Sequence, residues 1–137
     1  MNRTIFGVTG AVVAGVLCGP VGCQTQIRPQ GQTGIEASFN GFELKADLPA
    51  GTAVEAVVSA AEAGFRDRGY SVDRATATED RGEVVARPPS TRDFPLVRVT
   101  ARRFDTHTRV VVKKEPFSND EGLCRGVLER TLERLGL

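Results

Sequence analysis

From residue 35 onward the chain alternates between two hydrophobic periods. Ile35, Ala37 and Phe39 alternate with Glu36 and Ser38, and after Asn40-Gly41 the alternation resumes with Phe42, Leu44, Ala46 and Leu48 against Glu43, Lys45 and Asp47. A period of two is that of a half-buried strand, and Asn-Gly suits the positive φ angles of a two-residue hairpin turn. Pro49-Ala50-Gly51 breaks the strand, and Thr52 with Glu55 spells a capping box. Val54, Val57, Val58, Ala61 and Phe65 then recur at helical spacing, and Gly69 fits the left-handed stop that follows a helix.

A meander of strands follows. Tyr70 to Thr78 is strand-like with Tyr70 and Val72 on its apolar side, Asp80-Arg81-Gly82 reads as a turn, and Glu83 to Arg87 as a short strand stopped by Pro88-Pro89. Leu96 to Phe104 alternates Val97, Val99 and Ala101 against Arg98, Thr100 and Arg102. After a turn at Asp105-Thr106-His107, Thr108 to Lys114 sets Val110 and Val112 opposite Arg109, Val111 and Lys113. Pro116 ends that strand, and Ser118, Asn119 or Asp120 is positioned to cap a second helix. Cys124, Val127, Leu128, Thr131, Leu132 and Leu135 form a single stripe on it. The expected fold is α+β, in the order β-β-α-β-β-β-β-α: an antiparallel sheet of about five to six strands with two helices packed on one face.

The N-terminus follows a different logic. Arg3 precedes an uncharged, mostly apolar run, Thr4 to Val21, that ends at Gly22-Cys23. A spanning helix needs about 20 apolar residues, whereas this run is shorter and holds four glycines and Pro20. A positive start, an apolar middle and a small residue before a break form a secretory signal, and the cysteine just after that break points to a bacterial lipoprotein signal. Val21-Gly22-Cys23 resembles the lipobox, while Pro20 stands where the pattern has leucine. Residues 1–22 are therefore read as signal peptide and Cys23 as the lipidated residue; the alternatives are a cleaved signal without lipid and an uncleaved anchor. The resemblance to lipoproteins implies palmitate-type acylation and, because Gln24 is not Asp, an outer-membrane protein facing the periplasm. Residues 23–34, polar, aperiodic and containing Pro29, read as a flexible tether able to reach about 35 Å. Residues 35–137 read as a single domain.

Charge and cysteine count narrow the function. The chain has 18 Lys and Arg, 17 Asp and Glu and a net charge of +1; removing residues 1–22 takes away Arg3 and leaves a balance. Bulk nucleic-acid binding depends on neutralising many phosphates, so no nucleic-acid partner is expected. Of the three cysteines, only Cys124 remains once Cys18 leaves with the signal and Cys23 takes lipid, so no internal disulfide is expected. Neither cysteine nor histidine stands at metal-ligand spacing, and no metal or other cofactor is expected.

Several stretches together carry a resemblance: Gly22-Cys23, F-N-G-F-E-L-K-A-D-L-P-A (39–50), A-E-A-G-F-R-D-R-G-Y-S-V (61–72), R-G-E-V-V-A-R (81–87), and T-R-V-V-V-K (108–113) followed by N-D-E (119–121). Their order resembles a family of small bacterial lipoproteins of unknown function, each one α+β domain after a lipoprotein signal. Glu115-Pro116-Phe117 stands where that family has a glycine-rich turn. The family has no assigned catalytic residues, so the resemblance implies none here. The element order also resembles helix-grip domains of some outer-membrane assembly lipoproteins, an analogy of fold alone.

Four candidate features remain. Arg98, Arg102, Arg109 and Lys113 fall on the side of their strands opposite the core, with Arg103 and Lys114 nearby. They read either as a solvated face paired with neighbouring acids or as a basic plate touching anionic lipid headgroups, lipopolysaccharide or peptidoglycan. Cys124 reads as a buried, inert thiol and His107 as a solvated turn residue. Glu79, Asp80 and Glu83 read as a solvated turn lacking the ligand spacing of a calcium loop. The functional expectation is a non-enzymatic structural or binding module of the cell envelope, whose partner is an envelope protein, lipopolysaccharide or peptidoglycan. The alternatives are a carrier holding a hydrophobic ligand between helices and sheet, and a periplasmic enzyme.

Overall fold

In a computed structural model, described for residues 25–89, 95–116 and 119–137, nine elements form one α+β unit. They are β1 (Gln26–Gln30), β2 (Ile35–Phe39), β3 (Glu43–Leu48), α1 (Val54–Asp67), β4 (Ser71–Ala77), β5 (Arg81–Arg87), β6 (Leu96–Arg103), β7 (Thr108–Glu115) and α2 (Glu121–Leu135). The strands make one antiparallel sheet of seven in the order β1-β2-β3-β7-β6-β5-β4. The signal segment and Cys23 lie outside the described residues.

Both helices cover the same face. Phe39, Leu44, Val84, Val99 and Val112 stand in one row across five adjacent strands and are buried beneath them. The helix stripes meet this row: Val54, Val57, Val58, Ala61 and Phe65 of α1, and Cys124, Val127, Leu128, Thr131 and Leu132 of α2, are all buried as their spacing predicts, and Leu135 packs at the margin. Burying Val54, Val57, Val58 and Phe65 contributes at most about 6–12 kcal/mol, at about 1.5–3 kcal/mol per side chain. Asp120 is the α2 cap, its carboxylate accepting from the Leu123 amide at 3.0 Å, and Gly69 has φ +77° behind α1.

Five expectations are corrected. The sheet has seven strands, not five to six, and the extra strand lies inside the expected tether of residues 23–34: β1 pairs with β2 from Gln26↔Phe39 to Gln30↔Ile35. It lacks alternation because it is an edge strand, held by backbone pairing and by α2 rather than by burial. Edge position also explains how Pro29 is tolerated. Arg125 donates to the Gln26 carbonyl at 3.2 Å and to Gln30 Oε1 at 3.2 Å, Gln30 Nε2 donates to the Arg125 carbonyl at 2.9 Å, and the Gln32 amide donates to the terminal Leu137 carbonyl at 2.7 Å.

The hairpin turn falls on Gly41-Phe42 rather than Asn40-Gly41. The Asn40 amide donates to the Glu43 carbonyl, Asn40 Oδ1 accepts from the Phe42 and Glu43 amides at 2.9 Å each, and Gly41 takes φ +93°. Phe42 therefore leaves the apolar face and is 66% exposed. The Thr52 capping box does not form: Ala53 is the N-cap without a side-chain bond, and Thr52 Oγ1 donates back to the Pro49 carbonyl at 2.8 Å. Arg81 and Gly82 belong to β5 instead of a turn. Finally, Glu83 leaves the expected acidic turn for the body of β5, where it pairs with Thr100 of β6.

Candidate functional site: the open face of the sheet

Neither helix covers the second face, and the strand register decides which side chains meet there. Arg98 stands opposite Lys113, and Arg102 opposite Arg109, so the four basic residues singled out from sequence share one side of the β6–β7 pair. They do not form a uniform basic plate. Arg98 lies between two carboxylates, its Nη1 2.6 Å from Glu83 Oε2 and its Nε 2.9 Å from Glu115 Oε1. Lys113 is 3.8 Å from Glu115, and Glu83 also receives Arg74. Arg109 grips Asp47 through Nε at 2.8 Å and Nη2 at 3.1 Å. Three of the four are thus paired with acids, Arg98 and Arg109 with carboxylates on adjacent strands and Lys113 with Glu115 of its own strand, as in the solvated-face alternative.

The electrostatics follow this geometry. The hydrogen bond from Arg109 is the main cause that holds the Asp47 carboxyl below its ordinary range, while the Asp47 partner raises Arg109. Burial pushes Glu83 up, but the hydrogen bonds and charges of Arg98 and Arg74 outweigh it and leave the carboxyl lowered. Arg98 is raised, first by Glu115 and then by Glu83.

Arg102 differs. Among the described residues it pairs with no carboxylate; its guanidinium lies 5.2 Å from the centroid of the Phe104 ring, and that of Arg109 lies 5.4 Å from the same ring. Its other cross-strand neighbour is Arg81 of β5. Asp47, Arg109, Arg102 and Arg81 therefore form one lateral row across four strands, and only the first two neutralise each other. Asp80-Arg81-Gly82 has the composition of a turn, which hides Arg81 from the sequence pattern. The signal available was the spacing of R-G-E-V-V-A-R, whose alternation extends back through Arg81 if Gly82 occupies a core position.

His107 is not a fully solvated turn residue. Its ring stacks on Phe104 with centroids 4.9 Å apart, Nδ1 is 2.9 Å from Thr106 Oγ1, and Nε2 is buried 3.6 Å from Asp47 Oδ1 without a hydrogen bond. The Asp47 carboxylate is already engaged by Arg109, so it does not orient the imidazole as a catalytic base. Cys124 is fully buried on the core side of α2. The recess between the two helices, at Ala61, Gly64, Phe65 and Val127, holds no water-sized space. Comparison with known proteins finds no matching family and no matching curated protein.

Proposed function

We propose that this chain is a bacterial envelope lipoprotein, acylated at Cys23, that serves as a non-enzymatic structural or binding module on the periplasmic side of the outer membrane. The observation that carries the binding role is the asymmetry of the sheet: two helices seal one face, and the other displays ordered rows of charge. The anchoring role rests on Arg3, the apolar run and Gly22-Cys23. The membership of the small lipoprotein family of unknown function belongs to the same proposal. Partners of matching chemistry are an envelope protein, lipopolysaccharide or peptidoglycan.

The strand position of β1 gives the proposal a specific geometry. Only three residues' reach, about 10 Å, separates Cys23 from Gln26, so an acylated Cys23 holds the folded domain against the bilayer rather than on a long tether. The recess between the helices, which holds no water-sized space, weighs against a hydrophobic-ligand carrier, and the engagement of Asp47 by Arg109 weighs against hydrolytic chemistry at His107.

Globomycin treatment of expressing cells tests the anchoring: unprocessed precursor accumulates if cleavage depends on acylation at Cys23, and unchanged processing refutes it.

A further inference from the structure

We infer that Arg81 and Arg102 form a binding site for a phosphate group on the open face of the sheet. This deepens the reading of that face as the working surface and is independent of acylation at Cys23.

The two arginines are direct cross-strand partners on β5 and β6. Like charges placed opposite each other destabilise a strand pair, typically by a few tenths of a kcal/mol to about 1 kcal/mol. Every other arginine pairing on this face is offset: Arg98 by Glu83 and Glu115, Arg109 by Asp47, Arg74 by Glu83 and Arg87 by Asp73. Among the described residues, Arg81 and Arg102 alone in these rows have no carboxylate within ion-pair distance.

Arg81 and Arg102 both line a shallow hollow of about 480 Å³, whose other walls include Thr76, Gly82 and Thr100. Thr76 and Thr100 flank Glu83 in the neighbouring row and present hydroxyls on the same face. Glu83 is the one acid in the hollow, and its charge is already met by Arg74 and Arg98. Phe104 supports Arg102 from one side, limiting the conformations it must lose on binding.

This donor set favours phosphate over carboxylate. One planar guanidinium fork satisfies a carboxylate, whereas two forks from adjacent strands and nearby hydroxyls suit a tetrahedral anion with several acceptor oxygens. The phosphate can be free in solution or borne by a lipid headgroup, and both present the same chemistry.

The test uses the full chain, ¹⁵N-labelled, in uncharged detergent micelles at low salt, titrated with inorganic phosphate. Amide shifts that saturate and cluster at Gly82, Thr100 and Arg102 are expected. Arg81→Gln and Arg102→Gln should each weaken binding about tenfold, the loss typical of a charged hydrogen-bonding partner, while Arg28→Gln on the edge strand should not. Absence of saturable shifts, or shifts undiminished in both arginine variants, overturns the site. A second arm replaces part of the lipid in phosphatidylcholine nanodiscs with phosphatidylglycerol. Shifts at the same amides without added phosphate, abolished by Arg102→Gln, assign the group to a headgroup; shifts only on adding phosphate assign it to a soluble ligand. Equal perturbation by chloride at the same ionic strength reduces the site to nonspecific screening and overturns it.

Discussion

At Gly82 α1 leaves no room for a side chain on the sheet, and replacing it tests the fold at that point. A Cβ built on Gly82 would lie 2.4 Å from Val58 Cγ2, 3.0 Å from Val54 Cγ1 and 3.1 Å from the Thr76 carbonyl oxygen. Carbon atoms in contact rest about 3.5–4.0 Å apart, so the first approach is short by more than an ångström. Val58 has little freedom to yield, because a β-branched residue in a helix has one strongly preferred rotamer. Relief requires α1 to lift from β5. Overpacking of this kind costs about 1–3 kcal/mol, offset by about 0.5–1 kcal/mol from removing a strand glycine. The net loss for Gly82→Ala is about 1–2 kcal/mol, which lowers Tm by about 4–10 °C at this domain size. The assay is thermal unfolding of residues 24–137 followed by circular dichroism. Val58→Ala alone should cost about 2 kcal/mol by transfer and cavity terms. It also deletes the clashing methyl, so in the double variant the two losses should fall short of additivity by about 1 kcal/mol. A Gly82→Ala protein that melts within about 2 °C of wild type, or fully additive losses, refutes the docking of α1 over Gly82.

Three further outcomes follow from the same structure. Asp47 and Glu83 have native carboxyls lowered from ordinary values of 3.8 and 4.5, so below those values the unfolded chain binds more protons than the folded one. The stability they contribute is present above about pH 4.5 and is lost as pH falls through their lowered values. Glu83→Gln should lower Tm at pH 7 but converge toward wild type at pH 3, and parallel curves would contradict the pairing. Arg125→Ala removes the ties to Gln26, Gln30 and Ala37. It should cost about 1–3 kcal/mol and speed amide exchange across β1; exchange already at the free-chain rate in wild type would show that residues 26–30 are a tether after all. Val58→Asp puts a carboxylate where the side chain is 7% exposed beneath α1, and cooperative melting near the wild-type temperature would refute that placement.

What the sequence disclosed divides by physical cause. The core was legible because burial imposes a period: every α1 stripe residue and all but the last of the α2 stripe are buried where the pattern puts them. Edge strand β1 was not legible, because backbone pairing and ties from Arg125 impose no hydrophobic alternation. The glycine at position 82 misled for a related reason, as its pattern value is that of a turn but its role is to let a helix approach. Candidate basic residues Arg98, Arg102, Arg109 and Lys113 do share one face, as their alternation predicted. Which of them stay unneutralised depended on register with β3 and β5, and residue order alone does not carry register. That register removes Arg98 and Arg109 from the free charges and adds Arg81 beside Arg102, while Lys113 is met by Glu115 of its own strand.

The envelope role depends most on how the N-terminus is finished in the cell. Mass spectrometry of the protein purified from its native membrane reads this directly. The expected result is a chain beginning at Cys23 whose first residue carries the added mass of a diacylglyceryl group. An unmodified Cys23, or a chain that retains Met1, would contradict it.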